Sequence, residues 1–420
     1  MKFIDLFAGL GGFHIALSKL GHKCVFASEK KESLAILYKD NYGIDPNRDI
    51  TKIEVSEIPK HDILCAGFPC QPFSKAGIQK GLSDKLNGNL FYKIQEILEY
   101  HKPKYFILEN VRNLERHDEG NTWKEINHIL KNVLNYDIDN KILSPHNFSV
   151  PQHRERIFII GAKKNLNHFQ WPKKSNRKTS IYNYLDKNPS EINKLEPEKI
   201  KVIDLWQKFL DAIPKEDKLP SWPIWSMEFG ATYPFENTTP HSSSVEELAQ
   251  TRGIYGKLLK GKSKEEIFSL LPSYARTEQE DFPNWKKHYI RSNREFYKKY
   301  KKVLRPVVQE IKKLKISSWQ KFEWNIQGGE RELRNHIIQF RGSGVRIKRT
   351  DFFPSLVTVS TQIPILGFEE RYITPKEGAR IQSLNGIKLP VNKGTCFAAL
   401  GNAVNVKIIK KIAENLIQDV

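Results

Sequence analysis

The stretch Asp5-Leu6-Phe7-Ala8-Gly9-Leu10-Gly11-Gly12-Phe13 carries a strand into a glycine-rich turn and on into a helix. Glycines at such a crossover let the backbone approach a ligand closely. Their spacing departs from the dinucleotide fingerprint, so no nicotinamide cofactor is read from them. Glu29 closes the next apolar run. An acidic residue at the end of a second strand can hydrogen-bond ribose hydroxyls. Turn and carboxylate together point to a nucleoside-type cofactor. A tight turn without a ligand and a surface carboxylate remain the alternatives. Outward from this unit the pattern repeats. Apolar runs at 3–7, 23–27, 62–66, 104–108 and 157–161 alternate with helical periodicity at 12–20, 31–41, 89–101 and 122–135. That alternation predicts an α/β fold, a doubly wound, mostly parallel sheet with helices on both faces.

The chain has 420 residues, enough for a real core and about two domains. Lysine and arginine (68) exceed aspartate and glutamate (48), which gives a net charge of +20. Phosphate contacts by such side chains release condensed counterions, so a polyanion is the natural partner. Cys24, Cys65, Cys70 and Cys396 form no Cys-x-x-Cys pair. Neither a metal site nor a disulfide framework is expected, in keeping with a reducing, cytoplasmic setting. The N-terminus enters a strand-like run directly, without a signal peptide, and no apolar stretch is long enough to span a bilayer. From about 165 the texture changes to lysine, asparagine and proline with scattered tryptophans. The basic segment 286–315 reads equally as a solvated helical face or a phosphate-facing one. Behind the turn expected at Leu400-Gly401-Asn402, residues 402–420 have an amphipathic helix pattern with Ile408, Ile409, Ile412, Leu416 and Ile417 as its stripe.

Three stretches carry chemistry. In Gly67-Phe68-Pro69-Cys70-Gln71-Pro72-Phe73-Ser74 an apolar strand stops at a Gly/Pro turn. There the Cys70 thiol is a candidate nucleophile or a small core residue. In Leu108-Glu109-Asn110-Val111 the carboxylate sits at the carboxyl end of a strand, where parallel sheets bind ligands. Glu109 there is a candidate general acid with a raised pKa, or a cap. In Gln152-His153-Arg154-Glu155-Arg156 two arginines two residues apart share one side of an extended segment. They could hold a phosphate, a carboxylate or a base edge, or be edge-strand charges.

Taken in order, Asp5–Gly12, Gly67–Ser74, Glu109-Asn110-Val111, Gln152–Arg156, Thr374–Gln382 and Gly401-Asn402 resemble the DNA (cytosine-5)-methyltransferase family of bacterial restriction–modification type. The resemblance covers 1–161 and about 371–420. It implies that Cys70 attacks carbon 6 of cytosine, that Glu109 contacts ring nitrogen 3, and that Arg154 and Arg156 bind the base's carbonyl oxygen and activate the thiol. It implies S-adenosylmethionine as methyl donor, lined by Phe7, Gly9, Leu10, Gly11, Pro69 and Leu90. Glu29 would take the ribose, Asp49 and Ile50 the adenine, and Asn402 with its neighbours would complete the pocket. The target base would be flipped from double-stranded DNA, with the loop 74–89 closing over it. Thr374–Arg380 resembles the motif that braces the recognition region, and Ser355-Leu356 is the nearest match to the family's Thr-Leu pair.

The expected architecture is a catalytic domain, 1–170 plus 390–420, and a smaller target-recognition domain, 171–389. Within the latter, Arg341–Arg349 is the segment expected to touch DNA, at phosphates or at guanine edges. A monomer is expected, with a cognate restriction endonuclease as functional partner. An RNA cytosine methyltransferase is opposed by the large insert between Arg156 and Thr374. A silent DNA-binding protein is opposed by the intact Cys70, Glu109, Arg154 and Arg156 set.

Overall fold

The computed structural model describes residues 1–46, 49–69, 90–175, 177–189, 191–261 and 263–417. The chain forms two compact units. The first is Met1–Ser190 with Thr350–Ser360 and Thr374–Val420, and the second is Glu191–Arg349 with Thr361–Ile373.

The first unit is built on a six-stranded sheet in the order β2-β1-β3-β4-β7-β5. Its strands are β1 (Lys2–Leu6), β2 (Lys23–Ser28), β3 (Ile63–Gly67), β4 (Tyr105–Val111), β5 (Asp137–Leu143) and β7 (Arg156–Ala162). Parallel pairing joins β2, β1, β3 and β4, while β7 runs antiparallel to both β4 and β5. Helices α1 (Gly12–Ser18), α2 (Glu32–Tyr42), α3 (Leu90–His101) and α4 (Asn121–His128) connect the strands. Central strands such as Ile63-Leu64-Cys65-Ala66 are buried throughout, as a sheet covered on both faces requires. Ile4, Leu64, Phe106 and Ile157 pack with Phe91, Ile94 and Leu130 into one core.

Strand β5 is absent from the sequence expectation. Asp137, Asp139 and Lys141 alternate with Ile138, Asn140 and Ile142, so it offers no apolar run. An edge strand with one wet face, guarded by charge, needs none. The antiparallel pairs at β7 confirm a mostly parallel sheet rather than a wholly parallel one.

The units divide elsewhere than at the expected 170 and 390. Residues 350–360 join the first unit because Phe353–Pro354, here β8, pairs in parallel with β6 (Gln152–His153). Helix α5 (Pro375–Ile381) joins it as well, with a Thr374/Glu377 capping box. There the Glu377 carboxylate accepts from the Asp186 amide at 3.1 Å, and Arg380 pairs with Asp186. Helices α6 (Lys393–Asn402) and α7 (Val406–Leu416) complete it.

In the second unit a six-stranded sheet includes Lys321–Trp324, Ile337–Arg341 and Gly344–Lys348. Its apolar face packs on the helices Pro197–Asp211 and Asn284–Ile311. Trp206, Trp319 and Trp324, scattered in sequence, gather here, with Trp206 stacked on Phe322 at 4.8 Å. The helix Asn284–Ile311 buries Ile290, Phe296, Leu304 and Ile311 and turns Lys298, Lys299, Lys301 and Lys302 to solvent. No helix among the described residues is long and apolar enough to cross a membrane.

Candidate active site

The turn after β1 is held by backbone conformations that few side chains adopt. Phe7, Gly9 and Gly11 have φ of 56°, 52° and 76°. The Ala8 amide donates to the Ser28 carbonyl at 2.9 Å, and the Gly11 amide to the Ala8 carbonyl at 2.8 Å. Glu29 orders the same turn: its carboxylate accepts from the Gly9 amide at 2.9 Å and from the Lys31 amide at 2.8 Å. Its remaining lone pairs stay open to a further donor.

On the neighbouring strands the register puts Gly67 beside Glu109, and Val111 beside Arg156. Glu109 is only 6% exposed. Burial raises its pKa, opposed by the nearby charges of Arg156 and Arg154. The Arg156 Nε lies 3.0 Å from its carboxylate. Arg154 is buried too, and burial followed by the Arg156 charge pulls its pKa down. Its guanidinium donates to the Ser355 hydroxyl at 3.2 Å, the Leu356 carbonyl at 3.4 Å and the Ala403 carbonyl at 3.2 Å. Two guanidinium groups thus face one carboxylate, which leaves surplus positive charge for an anionic or electron-rich reactant. The Asn110 amide donates to the Phe68 carbonyl at 3.1 Å and so ties the end of β4 to the residue before Pro69.

These groups line a single cavity of about 380 Å³, within the range of small-molecule sites. It is bounded by Phe7, Gly9, Leu10 and Glu29, by Phe68 and Pro69, by Glu109, Arg154 and Arg156, and by Asn402. The expected lining residues Gly11, Asp49, Ile50 and Leu90 stand outside it. Asp49 instead pairs with Lys30, itself a lining residue, at 3.0 Å and caps the turn at Thr51. Ile50 packs into the sheet's core, and Leu90 opens α3. Cys70, Arg48 and the loop 74–89 lie outside the described residues.

Sequence reasoning missed Lys31, Leu34, Ala399 and Val404, all of which line the cavity, as does Ala403 beside Asn402. Val404 has a signal only in three dimensions: a Cβ on Gly12 would lie 2.5 Å from its carbonyl oxygen. It also missed Ser355 and Leu356 as the support of Arg154. Among the described residues no group of His, Cys, Asp and Glu could hold a metal ion. Three described cysteines, Cys24, Cys65 and Cys396, are buried.

A glycine turn and a buried Glu–Arg pair share one cavity at the strand ends of this α/β sheet. The family model for C-5 cytosine-specific DNA methylases matches residues 1–224 and 236–418, so the chain belongs to that family. It is 44% identical over 225 residues to the type II methyltransferase M.HaeII of Haemophilus aegyptius, covering 53% of this chain and 68% of that protein. It is 45% identical over 175 residues to M.HhaI of Haemophilus parahaemolyticus, covering 41% of this chain and 53% of that one. With M.DsaV of Dactylococcopsis salina the figures are 43% over 194 residues, 46% and 55%. The chain thus spans about half to two thirds of the length of these curated relatives. A solved structure described as a DNA modification methyltransferase encoded within an E. coli prophage shares the fold. Its TM-score is 0.53 at 18% identity, with 99% of this chain and 98% of that one covered.

Proposed function

We propose that this chain transfers a methyl group from S-adenosylmethionine to carbon 5 of a cytosine flipped out of a specific duplex DNA site. It would serve as the modification enzyme of a restriction–modification system, acting as a monomer in the bacterial cytoplasm. The observation that carries this reading is the buried Glu109–Arg156 pair in the same cavity as the glycine turn and Glu29. A carboxyl with a raised pKa, at a strand end, suits proton donation to a ring nitrogen.

The donor set fits the cofactor. Phe7, Leu10 and Leu34 offer an apolar wall for a base, and Glu29 offers an acceptor for ribose hydroxyls. When bound there, S-adenosylmethionine supplies an electrophilic methyl group. The chain's own residues prepare the base. Cys70 adds its thiolate to carbon 6, which makes carbon 5 enamine-like; once carbon 5 carries the methyl group, loss of its proton to water or another base re-forms the double bond and expels the thiolate. Glu109 holds the proton that ring nitrogen 3 needs as charge develops. Arg154 and Arg156 take the carbonyl oxygen and favour the thiolate. The Arg154 hydrogen bonds to Ser355, Leu356 and Ala403 keep that guanidinium from turning away.

Sequence reading is assigned to the second unit's sheet. Strands Ile337–Arg341 and Gly344–Lys348 pair Gln339 with Arg346 and Arg341 with Gly344, which puts Arg341, Arg346 and Lys348 on one face, beside the buried Ile337 and Gln339. Ile338, Phe340, Val345 and Ile347 take the buried face. Glu323 fixes Arg346 at 2.6 Å, so that side chain is presented in one geometry to a base edge or phosphate.

The test is incubation with 5-fluorocytosine-containing duplex DNA and saturating S-adenosylmethionine. A covalent adduct in the parent, absent in Cys70→Ser, is expected. Sequencing 5-methylcytosine in DNA from an expressing strain should show one motif. No adduct with duplex DNA, or an adduct with tRNA instead, overturns the reading.

A further inference from the structure

The last turn of α2 touches two segments that line the donor cavity, and no step above uses it. Tyr42 reaches the glycine turn. Its hydroxyl donates to the Leu10 carbonyl at 2.8 Å. Its ring stacks on His14 with centroids 4.2 Å apart and planes 21° from parallel. A Cβ on Gly11 would stand 2.4 Å from that ring, so ring and turn are in close contact. His14 is held in turn by Tyr38, whose hydroxyl lies 2.7 Å from its Nδ1.

Asn41, the neighbouring residue, reaches the far end of the chain. Its side-chain amide donates to the Lys388 carbonyl at 3.1 Å, and its side-chain oxygen accepts from the Lys388 amide at 2.8 Å. Asp40 adds an ion pair with Lys388 at 3.7 Å. The chain runs from Lys388 into α6, whose end and exit supply Ala399, Gly401, Asn402, Ala403 and Val404 to the cavity. One helix end therefore grips the glycine turn through Tyr42 and the C-terminal return through Asn41. Neither residue lines the cavity itself.

We propose that Asn41 and Tyr42 are positioning residues that act as a clasp, holding the two lining segments at the spacing the methyl donor requires. They act through Leu10 and Lys388. This inference rests on the donor reading of the cavity. Pre-set spacing lowers the ordering cost of binding, so the effect belongs to donor affinity rather than to the chemical step.

The experiment uses the full chain, S-adenosylmethionine, and DNA from a methylation-deficient strain. Tyr42→Phe keeps the ring and removes one hydroxyl, and Asn41→Ala removes the partner of Lys388. Each is expected to raise the donor Kd and KM about five- to tenfold, the range a lost hydrogen bond produces. The kcat at saturating donor and the KM for DNA should stay within about twofold of the parent on the same rule. Hydrogen exchange should quicken at the Gly11 amide in Tyr42→Phe and at the Ala403 amide in Asn41→Ala, with or without donor. Parent-like donor affinity in both variants overturns the clasp, as does a fall in kcat with affinity unchanged. So does a lowered melting temperature without faster exchange at those amides. A parent that binds no S-adenosylmethionine sinks the donor reading instead, and the exchange rates then judge the clasp alone.

Discussion

Glu109 shows how one residue's environment sets its chemistry. Removed from water at the end of β4, it is pushed toward the neutral form by burial and pulled back by two guanidinium groups. Glu109→Gln retains an acceptor for Arg156 but cannot give up an acidic proton. The expected result is a single-turnover methylation rate about 10²- to 10³-fold lower, in line with the loss of a general acid. The melting temperature should be nearly unchanged. A parent-like rate would remove Glu109 from the mechanism. His61 illustrates the opposite sign of shift. It is buried, its Nδ1 lies 2.8 Å from the Pro59 carbonyl, and its Nε2 has no hydrogen-bond partner among the described residues. Burial pushes its pKa down to about 4. Unfolded, it titrates near the ordinary value of about 6.5, so between those values the unfolded chain binds the extra proton. Stability from this group is present above pH 6.5 and is lost as pH falls toward 4, by about 1.4 kcal/mol per pH unit. Asp5 and Glu109, with raised pKa values, act in the reverse sense. The check is therefore a comparison: His61→Gln should show a less steep loss of unfolding free energy than the parent over that interval.

At the scale of elements, the stripe of α7 was legible because it repeats at helical spacing, but Leu400-Gly401-Asn402, expected as a turn, ends α6, and Ile417 lies just past the last residue of α7. Ile408, Ile409, Ile412 and Leu416 are all buried, and Asn405 caps the helix by accepting from the Ile408 amide at 3.3 Å. Ile409 is wholly buried, and Ile409→Ala should cost about 2–5 kcal/mol in urea unfolding. Removing 401–420 is expected to abolish donor binding, since Gly401, Asn402, Ala403 and Val404 leave the cavity with it. Retained binding in calorimetry would contradict the lining drawn above. Strand β5 was illegible for the converse reason. A wet edge strand with alternating charges has no apolar run to announce it. The segment 122–135 resolved into α4 and a π-helical turn at Ile129–Val133, a distinction that residue periodicity does not carry.

For the whole molecule, the proposed function and the charge of +20 together predict a strongly salt-dependent DNA affinity. Each phosphate contact contributes about 0.9 to the slope of log affinity against log salt on duplex DNA. Arg341 lies on the polar face of the second unit's sheet, half-buried, and burial followed by the Arg346 charge lowers its pKa. Such a cation gains from an anionic partner. Arg341→Gln should reduce the salt slope by about one if it meets a phosphate. An unchanged slope with relaxed site preference in methylation sequencing would place it on a base edge instead. Lys298 and Lys302, on the solvent side of the helix Asn284–Ile311, give the comparison. Their replacement by alanine should leave site preference as it is.

The amino-acid sequence by itself determined the strand–turn–helix units and the strand-tip positions of Glu109 and Pro69. Turn chemistry and hydrophobic period are local, so they can be read along the chain. Only the tertiary structure decided which tips meet. Register across β4 and β7 brings Arg156 to Glu109. Parallel pairing of β6 with β8 brings Ser355 and Leu356 to Arg154, and the return of α6 brings Ala403 to the same guanidinium. The same packing brings Val404 to the lining. Strand order and the close approach at Gly12 are contacts between distant segments, set by burial of a common core rather than by any pattern within one segment.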